Sequence, residues 1–375
     1  MAIAKITNEQ LKAELEEGMT NKAIAEKYGM NIRNVELRRS KLAKSGVGHG
    51  RDVSKLIPDG YAVKGVSSMV DDEGNIKLQW VKSSQDKQHE IQMMQAVVDA
   101  LNSSIEKAEA SEMPSIDFDE TLALYPVFDL HIGAMAHKHE CGANYNTAMA
   151  EEVMNGYFDY AVNKAPNSEE AVLLIGGDLL HSDGLDSVTP ASGHSLDQDS
   201  RFAKLVYVAM RSIRRAINKM LSKHKKVSVC IIEGNHDESS MIWLRAAMAA
   251  FYEDDKRVFV ETSPRIMHHI QYGATFLAFT HGHTMRKAST RLEAAASDWR
   301  EDFGKSKHVY THSGHWHSQT VTEGNLGIDE IHGQLGSPDA YSARGGWRSR
   351  RQAAVIIYSK EFGEVGRFIC RPDMF

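Results

Sequence analysis

Five short apolar runs punctuate the chain from residue 122 to residue 311, and each one leads into glycine, aspartate, asparagine or histidine. Leu122-Ala123-Leu124-Tyr125-Pro126 leads into Val127-Phe128-Asp129-Leu130-His131. Ala171-Val172-Leu173-Leu174-Ile175 leads into Gly176-Gly177-Asp178-Leu179-Leu180-His181. Val227-Ser228-Val229-Cys230-Ile231-Ile232 leads into Glu233-Gly234-Asn235-His236-Asp237. Ala274-Thr275-Phe276-Leu277-Ala278-Phe279 leads into Thr280-His281-Gly282-His283, and His308-Val309-Tyr310-Thr311 into His312-Ser313-Gly314-His315-Trp316-His317. Apolar runs of this length read as buried strands. Helical patterns over 147–163, 197–223 and 239–252 lie between several of them. The alternation predicts an α/β fold with polar side chains gathered along one edge of a sheet, where such folds build their sites. Two later runs, 353–358 and 365–370, read as strands closing a second sheet.

The front of the chain has a different texture. Leu11, Ala13 and Leu15 among charged neighbours predict a helix over 7–17, stopped by Gly18. A second helix over 21–28 ends at Gly29, which can take the left-handed turn, and Asn31 can cap a third running to about Lys44. This order resembles a helix-turn-helix. Its third helix carries Arg33, Arg38, Arg39 and Lys41 against Glu36 alone, a charge balance suited to nucleic-acid phosphates. The other reading of this module is a small bundle packed on a protein. Next come two strand-like runs, 61–66 and 76–81, around the turn-forming residues 71–75, which predict a hairpin. A long helix over 85–110 follows, with an apolar stripe suited to a core or a homo-oligomer contact, and 111–120 reads as a linker. The expected division is therefore 1–50, a helix-turn-helix module; 51–120, a hairpin and long-helix connector; and 121–375, the main α/β domain.

Composition narrows the class. The 375 residues are 42% hydrophobic and 25% charged with a net charge of −6, so nucleic-acid contact must come from local basic patches. Three cysteines build no disulfide framework, the start of the chain lacks the apolar run of a signal peptide, and no apolar segment approaches the ~20 residues of a membrane span. A cytoplasmic protein without membrane contact is expected. Fifteen of the 18 histidines fall between His131 and His317, which directs attention back to the run ends.

In an extended chain alternate side chains share a face, so Asp129 and His131 can point at one object, and a carboxylate with an imidazole suits a divalent metal. Taken in order, Asp-x-His, Gly-Gly-Asp, Gly-Asn-His-Asp, His-Gly-His and Gly-His-x-His resemble the calcineurin-like metallophosphoesterases over about 125–317. The resemblance implies a two-layered β-sandwich flanked by helices and a binuclear metal centre. Asp129, His131, Asp178 and His317 would hold the first ion; Asp178 would bridge; Asn235, His281 and His315 would complete the second. Nitrogen and oxygen donors suit manganese, iron, zinc or magnesium, with manganese the first expectation. His236 matches the family position that protonates the leaving oxygen or steadies the transition state, and Asp237 either orients it or serves as an N-terminal carboxylate of the next helix.

His181, third after Asp178, is similar to a histidine of the SbcD-type DNA nucleases that contacts substrate phosphate. Protein phosphatases of the family place Asp-Arg near this point instead. The resemblance implies a phosphodiesterase acting on DNA, and Arg344, Arg348, Arg350 and Arg351, in a glycine-rich loop with Trp347, suit backbone phosphates and base stacking. The segment 182–200 has no counterpart there. Alternatives are a phosphoesterase for small or cyclic nucleotides, or a DNA-binding regulator whose phosphoesterase domain is a scaffold. His137, His139 and Cys141 resemble a zinc cluster only faintly.

Overall fold

A computed structural model describes residues 6–44, 47–48, 51–52, 61–70, 76–85, 98, 113–115, 118–190, 192–346 and 348–375. The helix expected over 85–110 lies outside them, except for helical Val98 and for Gln85, which ends a strand. The turn at 71–75, residues 111–112 and 116–117 of the expected linker, and Trp347 also lie outside. The chain forms two compact units, 1–96 and 97–375.

In the first unit, three helices, α1 (Asn8–Glu16), α2 (Asn21–Lys27) and α3 (Ile32–Lys44), enclose a core of Ile6, Leu11, Leu15, Ile24, Ala25 and Val35. Local chemistry sets their ends. Thr7 and Gln10 form a reciprocal capping box on α1, Gly29 is left-handed at φ 58°, and the Asn31 side chain accepts from Arg33 N at 2.9 Å. Glu14, nearly buried, accepts from Lys27 Nζ and Tyr28 Oη. Four strands follow in two antiparallel pairs: β1 (Val47–Gly48) with β2 (Arg51–Asp52), and β3 (Tyr61–Val70) with β4 (Ile76–Gln85). The latter pair is the expected hairpin.

The second unit contains two sheets. Strands β5 (Phe118–Val127), β6 (Ser168–Ile175), β7 (Lys226–Ile231) and β8 (Val258–Val260) run parallel. The other sheet is built from β9 (Met267–Tyr272), β10 (Thr275–Thr280), β11 (His308–Ser313), β12 (Thr320–Gly324) and β13 (Gly327–Ile331), in the order β12-β13-β11-β10-β9. The last two strands, β14 (Ala353–Ser359) and β15 (Gly363–Cys370), correct the sequence expectation. They extend the first sheet, giving β15-β14-β5-β6-β7-β8, rather than closing the second. β14 is buried along nearly all its length and pairs antiparallel with β5 through Ile356↔Leu124, supplying the neighbour that β5 needs on its free side. The ligand-bearing loops therefore come from both sheets rather than from one edge of one.

Alternation builds the core between the layers. Leu122, Leu124, Val172, Leu174, Cys230 and Ile356 from the first sheet meet Tyr272, Leu277, Phe279 and Tyr310 from the second. Helices Thr147–Lys164 and Phe202–Leu221 pack on each other beside the first sheet, and Ala288–Asp298 places Leu292 and Ala295 on Phe276, Ala278 and Val309 of the second. Of the expected helices, the middle one starts at Phe202 rather than 197, because residues 197–201 run non-helically into it and Met135 N and Thr147 N bond to Asp197 and Asp199. No helix among the described residues is long and apolar enough to cross a membrane.

Candidate metal centre

The ends of β5, β6, β7, β10 and β11 bring the seven expected ligands to one place. Asp129, His131 and His317 form one group, and Asp178, His281 and His315 another, with ligand atoms within 4.8 Å of one another in each. His281 Nε2 lies 3.2 Å from Asp178 Oδ2 and 4.0 Å from Asp129 Oδ1, so the two groups adjoin. Asn235 follows β7, and Asn235 Oδ1 is buried without a hydrogen-bond partner.

The backbone is unusual at these positions. Six non-glycine residues among those described have left-handed φ, and five are expected ligands: Asp129 (51°), His131 (50°), Asp178 (51°), His315 (71°) and His317 (54°). Each such residue costs about 1–3 kcal/mol and persists only where the surroundings enforce it. The ends of β5, β6 and β11 are therefore bent so that their polar side chains are aimed inward. The clearance is equally tight. A Cβ at Gly234 would overlap the carboxylate and backbone nitrogen of Asp178. Gly234→Ala is expected to weaken metal binding by about ten- to a hundredfold, the range seen when a ligand's supporting contacts are lost; calorimetric metal titration checks this.

Several atoms are arranged for a cation. His281 Nδ1 donates to Gly176 O at 2.9 Å, so Nε2 is the nitrogen that faces Asp178 at 3.2 Å, where it carries a proton in the metal-free chain and would hold a metal in its place. His131 Nε2 and His317 Nε2 face each other at 3.4 Å, and His317 Nε2 is also 3.4 Å from Asp129 Oδ1. Two neutral imidazole lone pairs converging on a carboxylate repel unless a proton or metal sits among them. Burial and the neighbouring His281 push His315 down to about 4, which keeps it in the neutral form a metal requires. Burial opposes charge on His281 too, but the Asp178 carboxylate outweighs it and raises the imidazole to about 10. Orphaned donors, buried carboxylates and pre-set tautomers together fit a pair of divalent ions.

Around the ligands the remaining residues divide clearly. His236 N donates to Asp178 Oδ1 at 2.9 Å, and His236 Nδ1 donates to His181 O at 2.8 Å, leaving its Nε2 as the free nitrogen. The His181 ring, buried, stacks on His236 with centroids 5.4 Å apart, and its Nδ1 is 3.5 Å from His131 Nδ1. Burial and His236 push His181 down to about 4, so it is neutral near pH 7.

Asp237 corrects the expectation that it orients His236. Its carboxylate is fully buried and accepts from the backbone N–H groups of Asp178, Leu180 and Gly234 at 3.2, 3.0 and 2.9 Å, with no bond to His236. It ties the β6 and β7 loops together. Burial and Asp178 push it up to about 8, against the pull of those N–H donors. His283 stands beside His281 with ring centroids 5.4 Å apart and its Nδ1 unpartnered. His137 and His139 are exposed, and among the described residues no third ligand joins them.

A cavity of about 740 Å³ opens over this site, within the range of small-ligand pockets. The 182–200 segment forms one wall through Thr189, His194 and Leu196, and the 334–349 region forms another through Gln334, Asp339 and Arg344. Sequence reasoning missed Trp316, Arg286 and Gln334 in this lining. Trp316 could have been found, since it lies between two expected ligands; Gln334 carried no local signal.

Of the expected nucleic-acid contacts, Arg33 and Lys41 are exposed on α3. Arg38 is instead committed within its unit to Ile6 O and Asn8 Oδ1, and Arg39 Nη1 to Asn21 Oδ1, because these donors clamp α3 to the other helices. Arg344 is exposed and 3.4 Å from Glu140; Arg348 reaches Ala343 O; Arg350 is exposed. Arg351 turns inward, donating to Leu335 O at 3.0 Å and covering the Tyr145 ring, and is thus a structural residue rather than a nucleic-acid contact.

No family model matches the chain, and no curated protein matches it. Solved structures similar to it include a predicted phosphoesterase from Streptococcus pneumoniae TIGR4, 10% identical, covering 68% of this chain and 91% of that one at a TM-score of 0.30. A dimetal phosphatase from Danio rerio is 10% identical, covering 66% and 98% at 0.34. An archaeal phosphodiesterase is 11% identical, covering 67% and 99% at 0.30. Superpositions this loose transfer no residue's role, so the assignments rest on the geometry above.

Proposed function

We propose that this protein is a metal-dependent phosphodiesterase that cleaves nucleotide phosphodiesters, with DNA as the leading substrate. The observation that carries the reading is the convergence of two adjoining ligand groups, five of whose members sit on left-handed backbone at the strand ends. Asp129, His131, Asp178 and His317 would hold one ion, and Asp178, Asn235, His281 and His315 the other. Two divalent ions so held supply Lewis-acid charge against the phosphoryl oxygens and a water activated near neutral pH. A regulator with a purely structural phosphoesterase domain has no need of such a complete and strained ligand set.

The chain's own groups handle the leaving oxygen. His236, with Nδ1 fixed on the His181 carbonyl, presents Nε2, which as imidazolium can donate a proton to the departing oxygen or steady charge on the phosphoryl oxygens. His181 sets the angle of that ring and backs His131. His236→Asn is expected to lower kcat on a DNA diester by about 10²–10³-fold. The loss should be smaller on bis(p-nitrophenyl) phosphate, whose leaving group needs no proton. An equal loss on both substrates would assign His236 to charge stabilisation alone.

Exposed Arg33 and Lys41 on the capped helix α3 support contact with a nucleic-acid backbone. The second reading, small or cyclic nucleotides, is favoured by the cavity wall at 182–200, which makes the site recessed and better suited to a strand end or a compact ligand than to the interior of a duplex. The test is manganese-supplemented hydrolysis of single- and double-stranded DNA, RNA, cyclic dinucleotides and a phosphoprotein by the purified chain. Cleavage of DNA is expected. Activity confined to monoesters or phosphoproteins would contradict the proposal.

A further inference from the structure

Resting on the phosphodiesterase reading, we infer that Trp316 is a stacking platform for the nucleobase next to the scissile phosphate, and that Gln334 meets the edge of that base. Trp316 is 45% exposed, yet it lines the cavity rather than an open face of the molecule. Large exposed indoles need a reason, because a ring of this size is ordinarily covered. Here the ring meets His315 edge-on, with centroids 5.2 Å apart and planes at 73°, so His315 does not stack over it. Its backbone is fixed: His315 and His317 on either side are left-handed, and Trp316 N donates to Gly314 O at 2.9 Å. A rigid aromatic one residue from each of two ligands places a π-face within a nucleoside's reach of the reacting phosphate.

Gln334 provides an independent sign of a ligand. It is 1% exposed and lines the same cavity, and its Oε1 is buried without any donor. Leaving such an atom unmet is costly, and an amino or imide N–H on a base edge would satisfy it. The charge pattern agrees. Asp197 and Asp339 also line the cavity, and carboxylates there suit an uncharged base and sugar better than a phosphate at their own positions. Arg286, exposed at the cavity and without an ion pair among the described residues, is available to a flanking phosphate. A base stacked on an aromatic with its edge read by an amide is how unpaired nucleotides are recognised.

The test is calorimetric binding to the manganese-loaded protein, comparing deoxyadenosine 5′-monophosphate with 2-deoxyribose 5-phosphate, which lacks the base. The nucleotide should bind about ten- to a hundredfold more tightly, the range that one base–aromatic stack provides. Trp316→Phe should keep most of that ratio, and Trp316→Leu should bring it close to one. A wild-type ratio near one would overturn the inference even if Trp316→Leu disturbs its ligand neighbours, and so would a ratio that Trp316→Leu leaves intact. Binding needs no turnover, so failure of the phosphodiesterase reading would show separately, as absent cleavage with the ratio retained. Running a linear and a cyclic dinucleotide beside these identifies the source of the base: tighter binding of the linear form points to strand ends, and of the cyclic form to small nucleotides.

Discussion

Asp178→Asn should abolish phosphodiester hydrolysis, lowering it by more than about a hundredfold, and should remove at least one of two bound ions. Asparagine keeps the shape, so the bond from His236 N to Oδ1 can persist; what goes is the charge beside His281 Nε2. Asp178 belongs to the second ligand group, 3.2 Å from His281 Nε2, and in the proposed centre it is the carboxylate both ions would share. The same substitution also acts on the metal-free chain. The Asp178 carboxylate holds a proton on buried His281, and removing it leaves that imidazole without its ion partner. Without metal near pH 7, Asp178→Asn should therefore melt lower than the parent. With saturating manganese the parent should gain stability by mass action, about 2.7 kcal/mol at a hundredfold excess over Kd, and the variant should gain much less. Thermal melts with and without chelator read both arms.

Arg291→Ala should destabilise the second unit by about 3–5 kcal/mol, the usual consequence of leaving one member of a buried ion pair alone. Arg291 is 1% exposed, and its Nε and Nη2 bond to Asp329 at 2.7 and 2.5 Å while Nη1 bonds to Met285 O at 2.6 Å. Thr311 on β11 donates to the same carboxylate at 2.5 Å. Through the Asp329 carboxylate one guanidinium thus ties helix Ala288–Asp298 to β13 and, by way of Thr311, to β11, which leads into His315 and His317. Asp329→Ala should cost a comparable amount. Replacing both residues by Ala should cost less than the sum of the single changes, because neither charge is then left stranded. Denaturant unfolding of the four proteins measures the coupling.

The site was legible in the sequence wherever its chemistry is local. An apolar run followed at once by Asp, His or Asn announces both a buried strand and the side chain at its end, so Asp129, His131, Asp178, Asn235, His281, His315 and His317 could all be picked out without coordinates. What stayed hidden depends on contacts between distant residues. Asp237 looked like a partner for its neighbour His236, but the N–H groups it satisfies belong largely to the β6 loop, some 57–59 positions away. Arg38, Arg39 and Arg351 counted as free positive charge until their acceptors, Ile6, Asn8, Asn21 and Leu335, came into view. Strands β14 and β15 were recognisable as strands. Their sheet was not, since an apolar run carries no label for the neighbour it will pair with. Gln334 had no local mark at all: it matters only because the 333–337 turn passes Phe128 and Asp129, where Leu335 N and Gly336 N donate to their carbonyls.

Metal analysis of the purified chain after equilibration with manganese and removal of free ion tests the binuclear centre most directly. Two ions per chain are expected, with fewer in Asp178→Asn. A chain that retains no metal while still folded would contradict the account.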